Sequence, residues 1–232
     1  MQTLFTSYHV RLTVTTVELV LTAADWEGRD GVHATGRAFH DGDLLGAQGL
    51  IDRFEGRSSE ELPALASALN GLFSVIIERD HKVFIISDRI GSRAVFYSPG
   101  DPAHVSDHFG RLRASAGGGP VLKDYELEFR MATYVSGRET LDPAIHKTQP
   151  GTVLCVDVKD GTASNRQYYS YRDNPQPDRY GEDRYTEWRD TLDRVFERIA
   201  AVADGRQVIM GLSGGYDSRL IVTMLDRAGF DD

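Results

Sequence analysis

Apolar positions gather in short runs over the first three quarters of the chain and recur at helical spacing near its end. Tyr8 to Leu21 is rich in β-branched residues and partly alternates, which predicts one or two strands. Gly31 to Phe39 predicts another strand, turned by His40-Asp41-Gly42-Asp43, and a helix is expected from Leu44 to Phe54. Ser58-Ser59-Glu60-Glu61-Leu62 reads as a helix start with acidic residues in its first turn, running through Leu65 and Leu69. The clearest β signal is the pair Gly71–Glu78 and Lys82–Ser87, split by Arg79-Asp80-His81. Both runs are mainly apolar, as expected of a hairpin buried on its two faces. A polar turn, Asp88–Arg93, leads to a strand starting at Ala94-Val95-Phe96-Tyr97. Ser115–Pro120, with three glycines in a row, reads as a flexible break, and Glu126 to Val135 as a helix. Pro150-Gly151-Thr152 turns into a strand over Val153–Val158, which Asp160-Gly161 turns back.

The pattern then changes. Asp173-Asn174-Pro175-Gln176-Pro177-Asp178 has linker composition. Beyond it Tyr185, Trp188, Leu192, Val195, Phe196, Ile199 and Ala200 recur at three- and four-residue steps, the stripe of an amphipathic helix. Val208-Ile209-Met210 predicts a short buried strand, and Leu220–Leu225 a helix stopped by Gly229. The organisation expected is a β-rich domain over 1–175 and a helix-strand-loop-helix part over 180–232.

Composition narrows the function classes. A net charge of -9 disfavours a nucleic-acid or anionic-membrane surface. No apolar run approaches the ~20 residues of a membrane span, and residues 1–10 lack the basic start and apolar block of a secretion signal. A single cysteine, Cys155, excludes an internal disulfide and fits a core position. The cytoplasm is the expected location.

Candidate chemistry concentrates in Leu212-Ser213-Gly214-Gly215-Tyr216-Asp217-Ser218, between the predicted strand and helix. Glycines let a backbone approach an anion closely, and the first helical turn presents free N–H groups to it. Ser213 and Ser218 add hydroxyl donors. Asp217 would repel a phosphate unless a divalent cation, Mg2+, stands between them. The same letters satisfy G-x-S-x-G, which would make Ser213 the nucleophile of an α/β-hydrolase. That fold places its histidine after the serine, and the last histidine here is His146. His104 and His108 have a His-x-x-x-His spacing, but the preceding Asp101-Pro102 predicts a solvated loop. Tyr168, Tyr169 and Tyr171 lie beside the linker and are expected to pack between domains.

Ser213-Gly214-Gly215-x-Asp217-Ser218 resembles the pyrophosphate loop of the ATP pyrophosphatase group. Upstream, Leu69-x-Gly71-x-Phe73-Ser74, then Asp88-x-x-Gly91 to Tyr97, resembles the class II glutamine amidotransferase domain of asparagine synthetases. Gly137–Leu141, Pro150-Gly151 and Tyr168-Tyr169 look like that family's exit segment. The resemblance covers nearly the whole chain. It implies an α+β, Ntn-type αββα sandwich, followed by the first βα unit of an α/β adenine-nucleotide α-hydrolase-like domain. It also implies an ATP- and Mg2+-dependent amide-forming ligase acting on a small, aspartate-like carboxylate. Leu212, Ser213, Gly214, Gly215, Asp217 and Ser218 would hold the nucleotide, Asp217 through the metal, and a homodimer stays open as the assembly. The departures are specific. Gln2, Thr3 and Leu4 follow Met1 where the family has its nucleophilic cysteine, and neither Thr3 nor Ser7 can become the first residue by methionine removal alone. Thr35-Gly36-Arg37 replaces the family's N-G-E turn, and Ser87 and Ala94 replace its arginine and proline. The glutaminase is therefore expected to be dead, as in β-lactam synthetases, and no catalytic residue is assigned. Since the family's synthetase domain runs far past this loop, the chain is expected to be a C-terminal truncation, inactive alone. The alternatives are a truncated, non-catalytic Ntn-like scaffold or partner protein, and the Ser213 hydrolase.

Overall fold

The structure is a computed structural model and describes residues 17–22, 24–172 and 181–230. The first part of the Tyr8–Leu21 strand reading, Thr3, Ser7 and the 173–178 linker lie outside them. The chain divides into two compact units, Met1–Tyr171 and Arg172–Asp232.

In the first unit the elements run β1 (Val17–Val20), β2 (Glu27–Arg29), β3 (Val32–His40), β4 (Asp43–Leu45), α1 (Ala47–Phe54) and α2 (Leu62–Ser67). Then come β5 (Asn70–Arg79), β6 (Lys82–Ser87), β7 (Phe96–Ser98), β8 (Ala103–Ser106), α3 (Phe109–Ser115) and α4 (Lys123–Ala132). β9 (His146–Lys147), β10 (Thr152–Asp157) and β11 (Ala163–Gln167) complete it. The described strands form two sheets. One is seven-stranded, in the order β11-β10-β6-β5-β3-β2 with β4 paired to β3, and the other is β1-β8-β7-β9. All pairings are antiparallel except β1 with β8.

β5 and β6 sit at the middle of the larger sheet, and both of their faces are buried over residues 73–77 and 83–87. Phe73, Val75, Ile77, Phe84 and Ile86 face α1 and α2, packing on Leu50, Ile51, Phe54 and Leu62. Ile76, Val83 and Ile85 face the smaller sheet, packing with Leu19, Val95, Tyr97 and Val105. α3 lies against β7 and β8, where Phe109 meets Phe96 edge to face at 5.9 Å. Helices, sheet, sheet and helix thus stack in layers.

Several local readings are corrected. Leu44 and Leu45 belong to β4, the short return of a two-residue hairpin, so the helix starts only at Ala47. His104 lies in β8, paired with β1 and β7; Asp101-Pro102 forms the turn before it, not the start of a loop. α4 spans Lys123–Ala132 and stops at Thr133, whose φ of 67° is left-handed. The glycine run 117–119 is tied down: Gly119 N–H donates to Asp142 at 2.7 Å, and Arg113 bridges the Gly119 carbonyl and the same carboxylate. Tyr168 packs into the first unit's own core and its hydroxyl donates to the Ser87 carbonyl; burial pushes this phenol well above its ordinary range.

The second unit contains α5 (Glu182–Ala203) and α6 (Tyr216–Arg227), packed through Phe196, Met224 and Leu225. Val208–Met210 forms no strand among the described residues. A strand needs a hydrogen-bonding neighbour, and none is described in this unit. The segment keeps the alternation of one, with Val208 and Met210 packed inward and Ile209 out. α6 ends as its glycine predicts. Phe230 N–H donates to Leu225 O and Gly229 N–H to Asp226 O, with Gly229 at φ 85°, a complete Schellman cap.

Candidate functional site

The Ser/Gly loop enters α6 through Gly215, an extended N-cap residue with no side-chain cap. Nothing within the helix can accept from the first N–H groups, those of Tyr216, Asp217 and Ser218. Positive φ in the loop falls on Gly214, at 79°, where an added Cβ would meet nothing within 4 Å. The space over the loop is therefore open. Ser213 Oγ donates to Ser218 Oγ at 3.2 Å, and Ser218 Oγ donates to the Gly215 carbonyl at 3.0 Å. Ser218 is buried, whereas Leu212, Ser213, Gly214, Gly215 and Asp217 are exposed. The structure thus draws the two serines together at the helix start and leaves Asp217 in its first turn facing solvent.

Arg219, unremarked in the motif, braces the loop. Its Nη2 donates to the Gly214 carbonyl at 2.7 Å and its guanidinium lies 5.5 Å from the centre of the Tyr216 ring. The signal was available in the sequence as a cation following directly on the loop. Among the described residues, no group of three or more His, Cys, Asp or Glu could hold a metal ion. A Mg2+ at Asp217 would take its remaining ligands from phosphate and water. That fits this cation, which keeps several waters and is commonly held by one or two carboxylates. The residues present suit a magnesium-bound polyphosphate.

A second convergence lies in the first unit. Buried Asp88 accepts from the N–H groups of Phe73 (3.1 Å), Ile90 (2.9 Å) and Ser92 (3.2 Å) and from the Ser92 hydroxyl. Its carbonyl accepts from Gly151 N–H at 2.8 Å, and the Gly151 carbonyl accepts from Tyr168 and Tyr169. Arg93, at the far end of this turn, donates to Thr35 Oγ1 at 2.9 Å and pairs with Asp25 at 2.8 Å. The stretches Thr35–Arg37, Asp88–Arg93, Pro150-Gly151 and Tyr168-Tyr169 therefore form one connected cluster. Gly36 sits where only glycine fits: φ is 91°, and a Cβ would stand 2.1 Å from the Leu72 carbonyl oxygen. Arg37 beside it is exposed. The two histidines of the His-x-x-x-His spacing have separate tasks. His104 faces Glu18 at 3.5 Å, and His108 caps α3 by accepting from Arg111 N–H.

Fold and site define a mixed α/β chain with a two-sheet unit and a helical unit whose second helix follows a Ser/Gly loop. No protein-family model matches it, and no curated protein does. Among solved structures it is similar to glutamine phosphoribosylpyrophosphate amidotransferase from B. subtilis, complexed with ADP and GMP. That match has 11% identity and a TM-score of 0.38, and covers 62% of this chain. The chain spans 31% of that protein's length. No described helix is long and apolar enough to cross a membrane.

Proposed function

We propose that this chain carries an Ntn-type αββα sandwich without a working glutaminase, joined to the nucleotide loop of an asparagine-synthetase-like ligase. The observation that carries the reading is the open loop before α6. Its glycines, paired serines and first-turn amides, which have no acceptor within the helix, suit a polyphosphate, and Asp217 stands where a magnesium ion would bridge it to that anion. The layered sheets and the cluster around Asp88 agree with the sandwich. ATP supplies the adenylyl group that makes a carboxylate, here a small aspartate-like one, reactive toward an amine. The chain's own part is to bind and orient the phosphates. The amides of Gly214 and Gly215 and the hydroxyls of Ser213 and Ser218 do so, with Arg219 holding the loop's shape.

The Ser213 hydrolase reading is disfavoured. A nucleophile elbow holds its serine on a strained turn, but the positive φ here falls on Gly214, and Ser213 donates to Ser218 rather than to a histidine. A non-catalytic scaffold remains the second reading, favoured by the lack of any strand among the described residues of the second unit.

The test is titration with ATP, with and without magnesium, of the wild type and Asp217→Asn. A charge-assisted contact is worth roughly 1.5–3 kcal/mol, so the variant should bind Mg-ATP at least about tenfold more weakly and metal-free ATP nearly unchanged. Equal magnesium-dependent affinity in the two proteins removes Asp217 from the site. In the same reading glutamine is not hydrolysed, and the nitrogen comes from ammonia or a substrate amine. Incubation with glutamine should give no glutamate above background; release abolished by changing Thr3 or Ser7 would contradict this.

A further inference from the structure

The larger sheet is not fully covered on its helix-facing side. α1 and α2 lie over Phe73, Val75 and Ile77, and the turn leading into α2, at Ser58–Glu60, borders a cleft over β10 and β11. There the sheet forms the floor of a cavity of about 770 Å3, within the span of small-molecule sites. Register explains what lines it. Phe84 stands opposite Cys155, Cys155 opposite Ser164, Val153 opposite Arg166 and Arg79 opposite Lys82. Side chains directly opposite share a sheet face. An apolar floor of Phe84, Val153 and Cys155 is thus flanked by three cations.

The charge of this cavity runs against that of the molecule. The chain has 26 Lys and Arg against 35 Asp and Glu, yet here Arg79, Lys82 and Arg166 face two carboxylates, Glu60 and Asp80. Glu60 already accepts from the Ser59 hydroxyl at 3.0 Å. The cations are underused. Arg79 donates through Nη1 to the Arg57 carbonyl and lies 5.1 Å over the Phe84 ring, while its Nη2 is buried with no hydrogen-bond partner. Lys82 pairs loosely with Asp157, at 3.9 Å. The Arg166 side chain makes no hydrogen bond or close ion pair among the described residues, and it acts only through space, on Glu60 and Cys155. A buried donor without an acceptor costs free energy that an incoming oxyanion would recover.

We infer that this groove binds a small organic anion, its oxyanion head held by Arg79, Lys82 and Arg166 and its flat apolar body resting on Phe84 and Val153. The site is separate from the Ser/Gly loop and independent of the ligase reading. A solvated cleft at a sheet edge would show no such preference.

Cys155, the chain's single cysteine, makes the groove testable because its thiol lies on the floor. The rate of its alkylation by neutral iodoacetamide is followed against added phenyl phosphate. Saturable protection is expected, with half-protection at concentrations on the order of 1 mM and weakened about tenfold in Arg166→Ala. Inorganic phosphate should protect much less, since it leaves the floor uncovered. Arg166 is exposed on the edge strand, and the circular dichroism of the variant checks its fold independently. Absence of protection up to about 10 mM, or equal protection in Arg166→Ala, overturns the inference. Equal protection by inorganic phosphate overturns the assignment of an apolar body.

Discussion

Asp142 is fully buried and accepts from the amides of Gly119 (2.7 Å) and Ala144 (3.0 Å) and from Arg113 Nε (3.0 Å). Burial alone would push its carboxyl up, but those donors outweigh burial and hold it below the ordinary value of 3.8. A carboxyl lowered in the folded state stabilises the protein above its unfolded pKa. That contribution is lost as pH falls through 3.8 toward the folded value. Asp142→Asn should therefore cost about 1–3 kcal/mol at neutral pH, and the gap from wild type should narrow in acid titration of the unfolding midpoint. An unchanged gap would mean that the carboxylate's charge is idle. Neither this role nor that of Asp88 could be read from the sequence. Both acids receive partners 15 to 29 residues away, and a lone aspartate in a loop gives no sign of which amides will close on it.

Elements were legible where the apolar pattern decided them. β5 and β6 carry mainly apolar runs because each buries two faces at its centre, and the Asp41-Gly42 turn carries its own signal, with φ of 50° and 96° suiting a two-residue hairpin. β4 and β8 were not, since three- and four-residue strands are specified by their neighbours more than by their own letters. The missing strand at Val208–Met210 follows the same logic from the other side. Two glycines of β3 and its turn separate conformation from packing. Gly42→Ala meets open space and should cost only about 1–2 kcal/mol, the price of a left-handed alanine. Gly36→Ala adds a clash with the Leu72 carbonyl and should cost at least about 3 kcal/mol or prevent folding. Chemical denaturation of the two variants checks the difference, and equal costs would show that β3 and β5 can separate at Gly36 without penalty.

At the scale of the whole molecule, the sequence order of a two-sheet unit followed by a Ser/Gly loop and helix is what supports the ligase reading. The segments that carry the resemblance in the first unit meet around Asp88 and Arg93. Those of the second are contiguous and need no fold to bring them together. This is why the proposed nucleotide loop could be picked out from spacing alone, whereas the cationic groove over Phe84 required the sheet register. The central claim is that the loop before α6 receives a magnesium-bound polyphosphate. Its most direct measurement is an amide chemical-shift titration of the isotope-labelled protein with Mg-ATP. The account predicts that the largest shifts fall on Gly214, Gly215, Asp217 and Ser218 and need a higher ATP concentration when magnesium is withdrawn. Saturable shifts elsewhere with none in 213–218, or no shifts at all, would contradict it.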